Sequence, residues 1–422
     1  MDYQKQLKAF INYFKKAESK KAEHKIGVEF EHFILDKNLN TVSYYGENGV
    51  EKILYDLAEN NWEKEYERSH LVALKSDNKA ITLEPGAQLE LSINPFSQIE
   101  KIEDIYLNFL EEIKEILSKY DYKLAVLGYQ PKTKINDIKM LPKKRYDFMY
   151  KYFKNKGKYA YNMMKGTASL QMSIDYRNQK DYIKKMRVGY FLSPIIYYLF
   201  DNTPFFEGKT TPSESIRAEI WQNCDNQRSG LIDRIFDREF GYREYAEYLL
   251  NVPPIFKKKD NKLIYTAEKK LKDVMESNEK EEVEHFISMV FPDVRTKKYI
   301  ELRAADALPY PYNFGLVAFL KGLFYSKNNL DYLYKKSLEY NQSEFKDFKN
   351  KIIYKEKFKK RSELIADLIK KKKNKLNAKE EKYLNYVEEI FYDYQKMKFK
   401  TLNNFNSKKD NKKEALNWCI LN

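Results

Sequence analysis

Apolar and polar residues alternate with a period of two in four separate stretches of the chain, the pattern of strands with two unlike faces. In "GVEFEHF", Val28 and Phe30 share one face while Glu29 and Glu31 share the other. In "QLELS", Leu89 and Leu91 lie opposite Gln88, Glu90 and Ser92; in "SLQMSID", Leu170, Met172 and Ile174 lie opposite Gln171, Ser173 and Asp175. In "YIELR", Ile300 and Leu302 lie opposite Glu301 and Arg303. Strands are therefore predicted over 26–35, on both sides of the Pro85-Gly86 turn in "ITLEPGAQLELS", over 167–176 and over 299–306, with one more over 123–129.

Between them the apolar spacing becomes helical. Helices are predicted over 3–20, 49–60, 97–120, 143–156, 178–201, 239–250 and 279–290, the third entered through Ser97 and Glu100 as a capping box. The segment from Ser213, "SESIRAEIWQNCDNQRSGLI", reads as loop-rich, and the chain beyond Pro311 is nearly all helical in pattern. Helices lying between sequentially distant strands point to an α+β fold rather than a regular βαβ array. No repeat and no long linker interrupts the pattern, so residues 1–330 read as a core and 331–422 as a Lys-rich helical region packed on the same domain.

Composition narrows the class. With 43% hydrophobic and 15% aromatic residues, the 422-residue chain is too apolar for disorder and long enough for a large core. The net charge of +15 is concentrated: residues 331–422 hold 24 Lys/Arg against 14 Asp/Glu. The abundance of Lys, Asn, Ile and Tyr is the bias of an AT-rich genome, so the basicity is weak support for a nucleic-acid-binding protein, the least favoured reading. Two distant cysteines, Cys224 and Cys419, with no zinc spacing, suit a reducing compartment. The longest apolar run, Val188 to Phe200, falls short of a membrane span, and the expectation is a cytoplasmic protein.

The chemistry lies in the polar faces. A solvated sheet face explains polar residues at these positions, but such faces usually prefer Thr and Lys, whereas these concentrate Glu. Clustered carboxylates repel one another unless a cation sits among them, and magnesium, the hard ion suited to such ligands, usually brings a nucleotide phosphate. No phosphate-binding loop is present: Gly208-Lys209-Thr210 imitates its end, but Thr203 stands where the earlier glycine is required. Basic groups for phosphates or carboxylates are then Lys143, Arg145, Arg217, Arg228, Arg295 and Arg303. The four histidines, His24, His32, His70 and His285, form no catalytic or metal pattern, and His285 on its apolar helix face reads as a core residue.

In order along the chain, "GVEFEHF", "ITLEPGAQLELS", "LPKKRYDFMYKYF", "TASLQMSIDY", "SIRAEIWQNCDNQRSGL" and "HFISMVFPDVRTKKYIELRAADALP" resemble the plant-type glutamate-cysteine ligase family over roughly residues 26–315. The resemblance implies a curved, mostly antiparallel sheet similar to the glutamine synthetase core, with a polar concave face and helices on its outer face. It implies metal-binding carboxylates at Glu29, Glu31, Glu90 and Glu301 with Gln171 at the amide position. Arg303 would face the transferring phosphoryl group, Lys143 and Arg145 phosphates or carboxylates, and Arg217 and Trp221 the substrate. Glu84 matches a family acid without an assigned role. The implied reaction uses ATP and Mg2+ to couple L-glutamate to L-cysteine through γ-glutamyl phosphate, the first step of glutathione biosynthesis.

The chain departs from the family pattern at Ser173, Cys224, Ala304 and Ala307-Leu308, which keeps a related ligase with a different amine acceptor as the alternative. Two cysteines cannot supply the plant enzymes' redox bridges, and the length leaves no room for an appended ATP-grasp domain. The sequence leaves the oligomeric state open.

Overall fold

The computed structural model describes the chain apart from residues 20–23, 60–61, 212–213, 261, 372–375, 408–410 and 422. Lys20, Asn60 and Ser213, which fall at the edges of predicted segments, lie outside the described residues.

The predicted alternation produces the centre of a ten-stranded sheet. Its strands are β1 (Ile26–Leu35), β2 (Glu63–Glu67), β3 (His70–Lys75), β4 (Lys79–Leu83), β5 (Leu89–Phe96), β6 (Lys123–Ala125), β7 (Ser169–Ile174), β8 (Val294–Thr296), β9 (Ile300–Asp306) and β10 (Ile420–Leu421). The spatial order is β8-β9-β7-β1-β5-β4-β3-β2, with β6 beside β1 and β10 beside β6. Every pairing in it is antiparallel. Strands β2, β3, β8 and β10 were not anticipated, and β6 is shorter than the predicted 123–129.

The helices that matter for the site are α1 (Tyr3–Lys16), α2 (Val50–Leu57), α3 (Ile99–Ser118), α4 (Lys144–Phe153), α5 (Ala160–Gly166), α6 (Gln179–Leu199), α7 (Ile216–Gln222), α8 (Tyr242–Asn251), α9 (Lys280–Ile287) and α10 (Tyr312–Phe324). Helix α7 corrects the loop-rich reading of its segment: Ser215 caps it by accepting from the Ala218 amide. Helix α5 was also missed, because seven residues show too little periodicity to stand out.

The apolar strand faces pack under helices. Phe30 of β1 lies 4.3 Å, ring to ring, from Tyr106 of α3. Further along the same face α6 approaches β8 and β9 closely, and a Cβ at Gly189 would stand 3.1 Å from both Leu302 and Val294.

The tail is bound into this core by buried charge. Lys349 pairs with Asp293 at 2.6 Å and Lys398 with Asp201 at 2.9 Å. Glu380, in the short helix Ala378–Glu381, accepts from the Ile99 amide at 3.1 Å and pairs with Lys321 of α10. This corrects the predicted capping box: Gln98 is the N-cap of α3 and makes no side-chain cap, so an acid nearly three hundred residues away satisfies the free amide instead.

Removing that acid strands a buried ammonium. Glu380→Ala is expected to destabilise the protein by ~3–5 kcal/mol, read from the midpoint of urea unfolding; an unchanged midpoint would show that the tail does not secure α3.

Candidate active site

The register of the central strands brings the predicted acids together. Glu31 of β1 stands directly opposite Glu90 of β5, and Glu29 lies between Ser92 of β5 and Gln171 of β7. Two strands along, Glu301 of β9 pairs with Ser173 of β7 and with Arg295 of β8. A register shift in β9 between Leu302 and Ala305 interrupts the pairing at Arg303 before it resumes with Ala305 opposite Leu170.

Over this face lies a cavity of about 240 Å³. Glu29, Glu31, Glu84, Glu90, Gln171, Arg145, Arg217, Trp221, Arg295 and Arg303 all line it, so most of the predicted site residues converge on one space. The motif "LEPGAQLELS" forms its rim through a turn the sequence alone did not explain. Gly86 packs so closely on α5 that a Cβ there would meet the Lys165 carbonyl oxygen at 2.4 Å. Gln88 lines the cavity with Glu90, as the alternation implies, and is also a buried clamp: its Oε1 accepts from the Gly86 amide at 2.8 Å and its Nε2 donates to the Thr167 carbonyl at 2.9 Å. The clamp locks the turn against the start of β7 and places Glu84 at the cavity wall.

Burial and mutual repulsion dominate the electrostatics. Burial, with the charges of Glu84 and Glu90, pushes the Glu31 carboxyl up to about 8. Burial, with Glu90 and Glu301, pushes Glu29 up to about 7, and burial with Glu84 raises Glu90. Hydrogen bonds compensate in part. Glu31 accepts from the Ser169 amide and hydroxyl and from Gln171 Nε2, each at 2.8 Å, and Glu90 accepts from Thr82 Oγ1 at 2.7 Å.

Glu301 is different, because it is fully buried beneath the cavity wall. Burial alone would raise its carboxyl, but Arg295, Lys297 and Arg303 hold it far below the usual carboxylate range. Their nitrogens lie 2.7, 2.8 and 2.8 Å from its oxygens.

Two other candidate residues stand away from the cavity, and His285 occupies a core position. Lys143 does not line the cavity; its ammonium donates to the Leu83 carbonyl at 3.3 Å. Arg228 is fully buried and holds Asp225 at 2.7 Å and the Met289 and Pro253 carbonyls, a structural role. His285 bonds the Phe256 carbonyl at 3.1 Å, as its core reading implies, and no histidine lines the cavity. The residues that sequence reasoning missed are Lys297, Tyr146, Ser288, Phe291 and the apolar wall of Met149, Met163 and Met164. For Lys297 a signal existed in "RTKKYIELR", where a lysine two residues before a strand stands near the polar face.

One half of the cavity carries donors without acceptors. Arg217 spends Nη2 on the Arg303 carbonyl at 3.0 Å, but its Nε and Nη1, the Trp221 Nε1 and the Arg145 Nε are buried with no hydrogen-bond partner. Buried unpaired donors at a cavity wall call for an anionic or carbonyl ligand.

The other half calls for a cation. Among the described residues no three His, Cys, Asp or Glu side chains are grouped so as to hold a metal ion as they stand. The donor chemistry nevertheless fits a hard divalent ion: Glu29, Glu31 and Glu90 offer carboxylate oxygens whose proton affinity is raised by burial first and by neighbouring carboxylates second.

The family model described as glutamate-cysteine ligase family 2 matches residues 25–390. The chain belongs to this family. It is 31% identical to the chloroplastic glutamate–cysteine ligase of Arabidopsis thaliana over 342 residues, 79% of this chain and 65% of that one. It is 33% identical to glutamate–cysteine ligase B of Oryza sativa subsp. japonica over 321 residues, 74% of this chain and 64% of that one. It thus spans less than two-thirds of the length of these relatives.

Solved structures share the fold. A glutamate–cysteine ligase of Francisella tularensis, crystallised in complex with AMP, matches with a TM-score of 0.55 at 12% identity, covering 95% of this chain and 88% of that one. A bifunctional glutathione synthetase of Pasteurella multocida matches with a TM-score of 0.51 at 10% identity, covering 99% of this chain and 53% of that one. The α+β architecture is as the pattern of helices and strands implied, and the open antiparallel sheet is as the family resemblance implied.

The raised carboxyl of Glu31 fixes the sign of a pH effect. It holds its proton more tightly in the folded chain than its ordinary value of 4.5 allows, so its contribution to stability is present below that pH and is lost as pH rises through about 8. The stability of the cation-free protein relative to Glu31→Gln is expected to fall between about pH 5 and about pH 9 in thermal melts; a difference independent of pH would contradict the assignment.

Proposed function

We propose that this cavity joins the γ-carboxylate of L-glutamate to the amine of L-cysteine at the expense of ATP, giving γ-glutamylcysteine. The observation that carries the reading is the pairing, within one cavity, of buried acids short of positive charge with buried Arg217, Trp221 and Arg145 donors short of acceptors. The first group suits a metal–polyphosphate, and the second suits the carboxylates of amino acids. Family membership and the AMP named with the Francisella tularensis structure support the nucleotide.

In this reading Glu29, Glu31 and Glu90, with Gln171 and Glu301 beside them, would hold Mg2+, which would supply positive charge to offset that of the phosphates. A second cavity of about 660 Å³ shares Glu29 and is lined by Lys25, Lys75, Lys79 and Lys298, which suits the polyphosphate approach. Arg303 is anchored by Glu301 and by Gln171 Oε1, so its guanidinium is preorganised toward the phosphoryl group in flight. Arg217 and Trp221 Nε1 position the glutamate.

The γ-carboxylate attacks the terminal phosphorus and ADP leaves. The acceptor amine then attacks the acyl carbon, loses a proton, and phosphate departs. No protein nucleophile is needed, and Cys224 is unsuited to be one: burial pushes its thiol up to about 11, and it donates to Ser229 Oγ.

The Met149, Met163 and Met164 wall is apolar and soft, which favours a small sulfur-bearing acceptor over a charged one. The reducing, cytoplasmic setting belongs to the same proposal, supported by two buried free cysteines. Among the described residues no helix is long and apolar enough to cross a membrane. The nucleic-acid reading is weakened because the basic tail residues Lys349, Arg361 and Lys398 are buried in contacts within the chain.

Purified protein given ATP, Mg2+ and glutamate is expected to release ADP in a cysteine-dependent manner, and a panel of amines in place of cysteine identifies the acceptor. Glu90→Gln should lower kcat by about a hundred- to a thousandfold while still melting cooperatively. Turnover like that of the wild type in this variant would refute Glu90 as a ligand.

A further inference from the structure

Charge is distributed unevenly over the polar face. Three cations converge on Glu301, yet among the described residues no Lys or Arg lies at ion-pair distance from Glu29, Glu31 or Glu90. The three cations are not equivalent. Arg295 reaches Glu301 Oε2 through both Nε and Nη2 at 2.7 Å and spends Nη1 on the Val290 carbonyl at 3.2 Å. Arg303 reaches the same oxygen at 2.8 Å and also holds Gln171. Both guanidiniums are fixed by second contacts.

Lys297 is held differently. It sits between β8 and β9, its ammonium lies 2.8 Å from Glu301 Oε1, and that oxygen has no well-directed hydrogen bond. Its other contact is the Tyr299 hydroxyl at 3.5 Å. Its side chain lines the cavity and is a quarter exposed, so a path outward is open to it. Its charge also acts on Glu29 and Glu90, acids carried by two further strands. One tethered positive charge therefore faces the carboxylates of three strands.

Resting on the reading of this face as a metal site, we propose that Lys297 is a tethered countercation that holds the place of the divalent ion. It compensates Glu301 and its neighbours while no metal is present and swings toward solvent when a metal binds. The physical reason is competition: an ammonium close to a divalent ion among the same carboxylates repels it, and the bound state forms only at the cost of the Lys297 pair. The same pair keeps the acids from collapsing or protonating further in the metal-free chain, and a lysine on a flexible stem can leave where the doubly anchored arginines cannot.

The test uses the full chain and Mn2+ alone, with free Mn2+ followed by electron paramagnetic resonance. Lys297→Met is expected to bind Mn2+ about tenfold more tightly than the wild type, and Lys297→Arg to bind no more tightly than the wild type. Equal or weaker binding by Lys297→Met would overturn the proposal while leaving the metal reading intact. Absence of Mn2+ binding by the wild type and both variants would overturn both.

Should Lys297→Met fail to fold, the wild type decides. Acetylation of Lys297 by acetic anhydride, quantified by peptide mass spectrometry, is expected to rise when Mn2+ is added. An unchanged or lower yield would overturn the proposal.

Discussion

Four glutamates on neighbouring strands of one buried sheet face are the constraint around which this molecule is organised. Glu31 and Glu90 face each other across a strand pair, where like charges are destabilising, and burial weakens the screening of that repulsion. The fold answers in two ways. Glu31 and Glu90 are given hydrogen-bond donors from Ser169, Gln171 and Thr82, and Glu301 is surrounded by cations. What remains uncompensated is a local demand for positive charge, and that demand is the chemical identity of the site.

The surrounding architecture exists to hold this arrangement in place. The Pro85-Gly86 turn is pressed onto α5, with Gln88 clamping it to the start of β7, so β5 cannot slip relative to β7 without breaking buried backbone contacts. A slip of one residue would send Glu90 to the helix-packed face. Helices α4 and α5 then bring Arg145 and the methionine wall over the acids, and α7 brings Arg217 and Trp221. The Lys-rich tail makes buried contacts with this core: Lys398 and Lys349 are buried against Asp201 and Asp293, and Glu380 completes the start of α3.

The part of the site carried by regular strands was legible in the sequence. Period-two alternation needs no knowledge of the fold to put Glu29 and Glu31, or Glu301 and Arg303, on one face, and the structure brings Glu29, Glu31 and Arg303 to one cavity wall with Glu301 buried beneath it. What was not legible depends on partners distant in the chain. Glu380 capping α3, Gln88 turning inward as a clamp and Arg228 serving Asp225 rather than a ligand are set by packing across long sequence separations. The short helices α5 and α7 carry too few residues for a period to emerge, so Arg217 could be named only as one basic residue among several, Trp221 only through family resemblance, and the methionines of α5 not at all. Lys297 was hidden for another reason: it stands outside the strand, in a Lys-Lys pair that in a Lys-rich chain carries little signal.

The central claim is that this charge-hungry face activates a carboxylate by phosphoryl transfer. Its most direct test follows an oxygen atom. L-Glutamate labelled with 18O in its γ-carboxylate is supplied with ATP, Mg2+ and cysteine, and the released phosphate is analysed by mass spectrometry. Passage through an acyl phosphate predicts one 18O atom from glutamate in each phosphate formed alongside the amide. Phosphate free of label, with ATP consumed, would contradict the account.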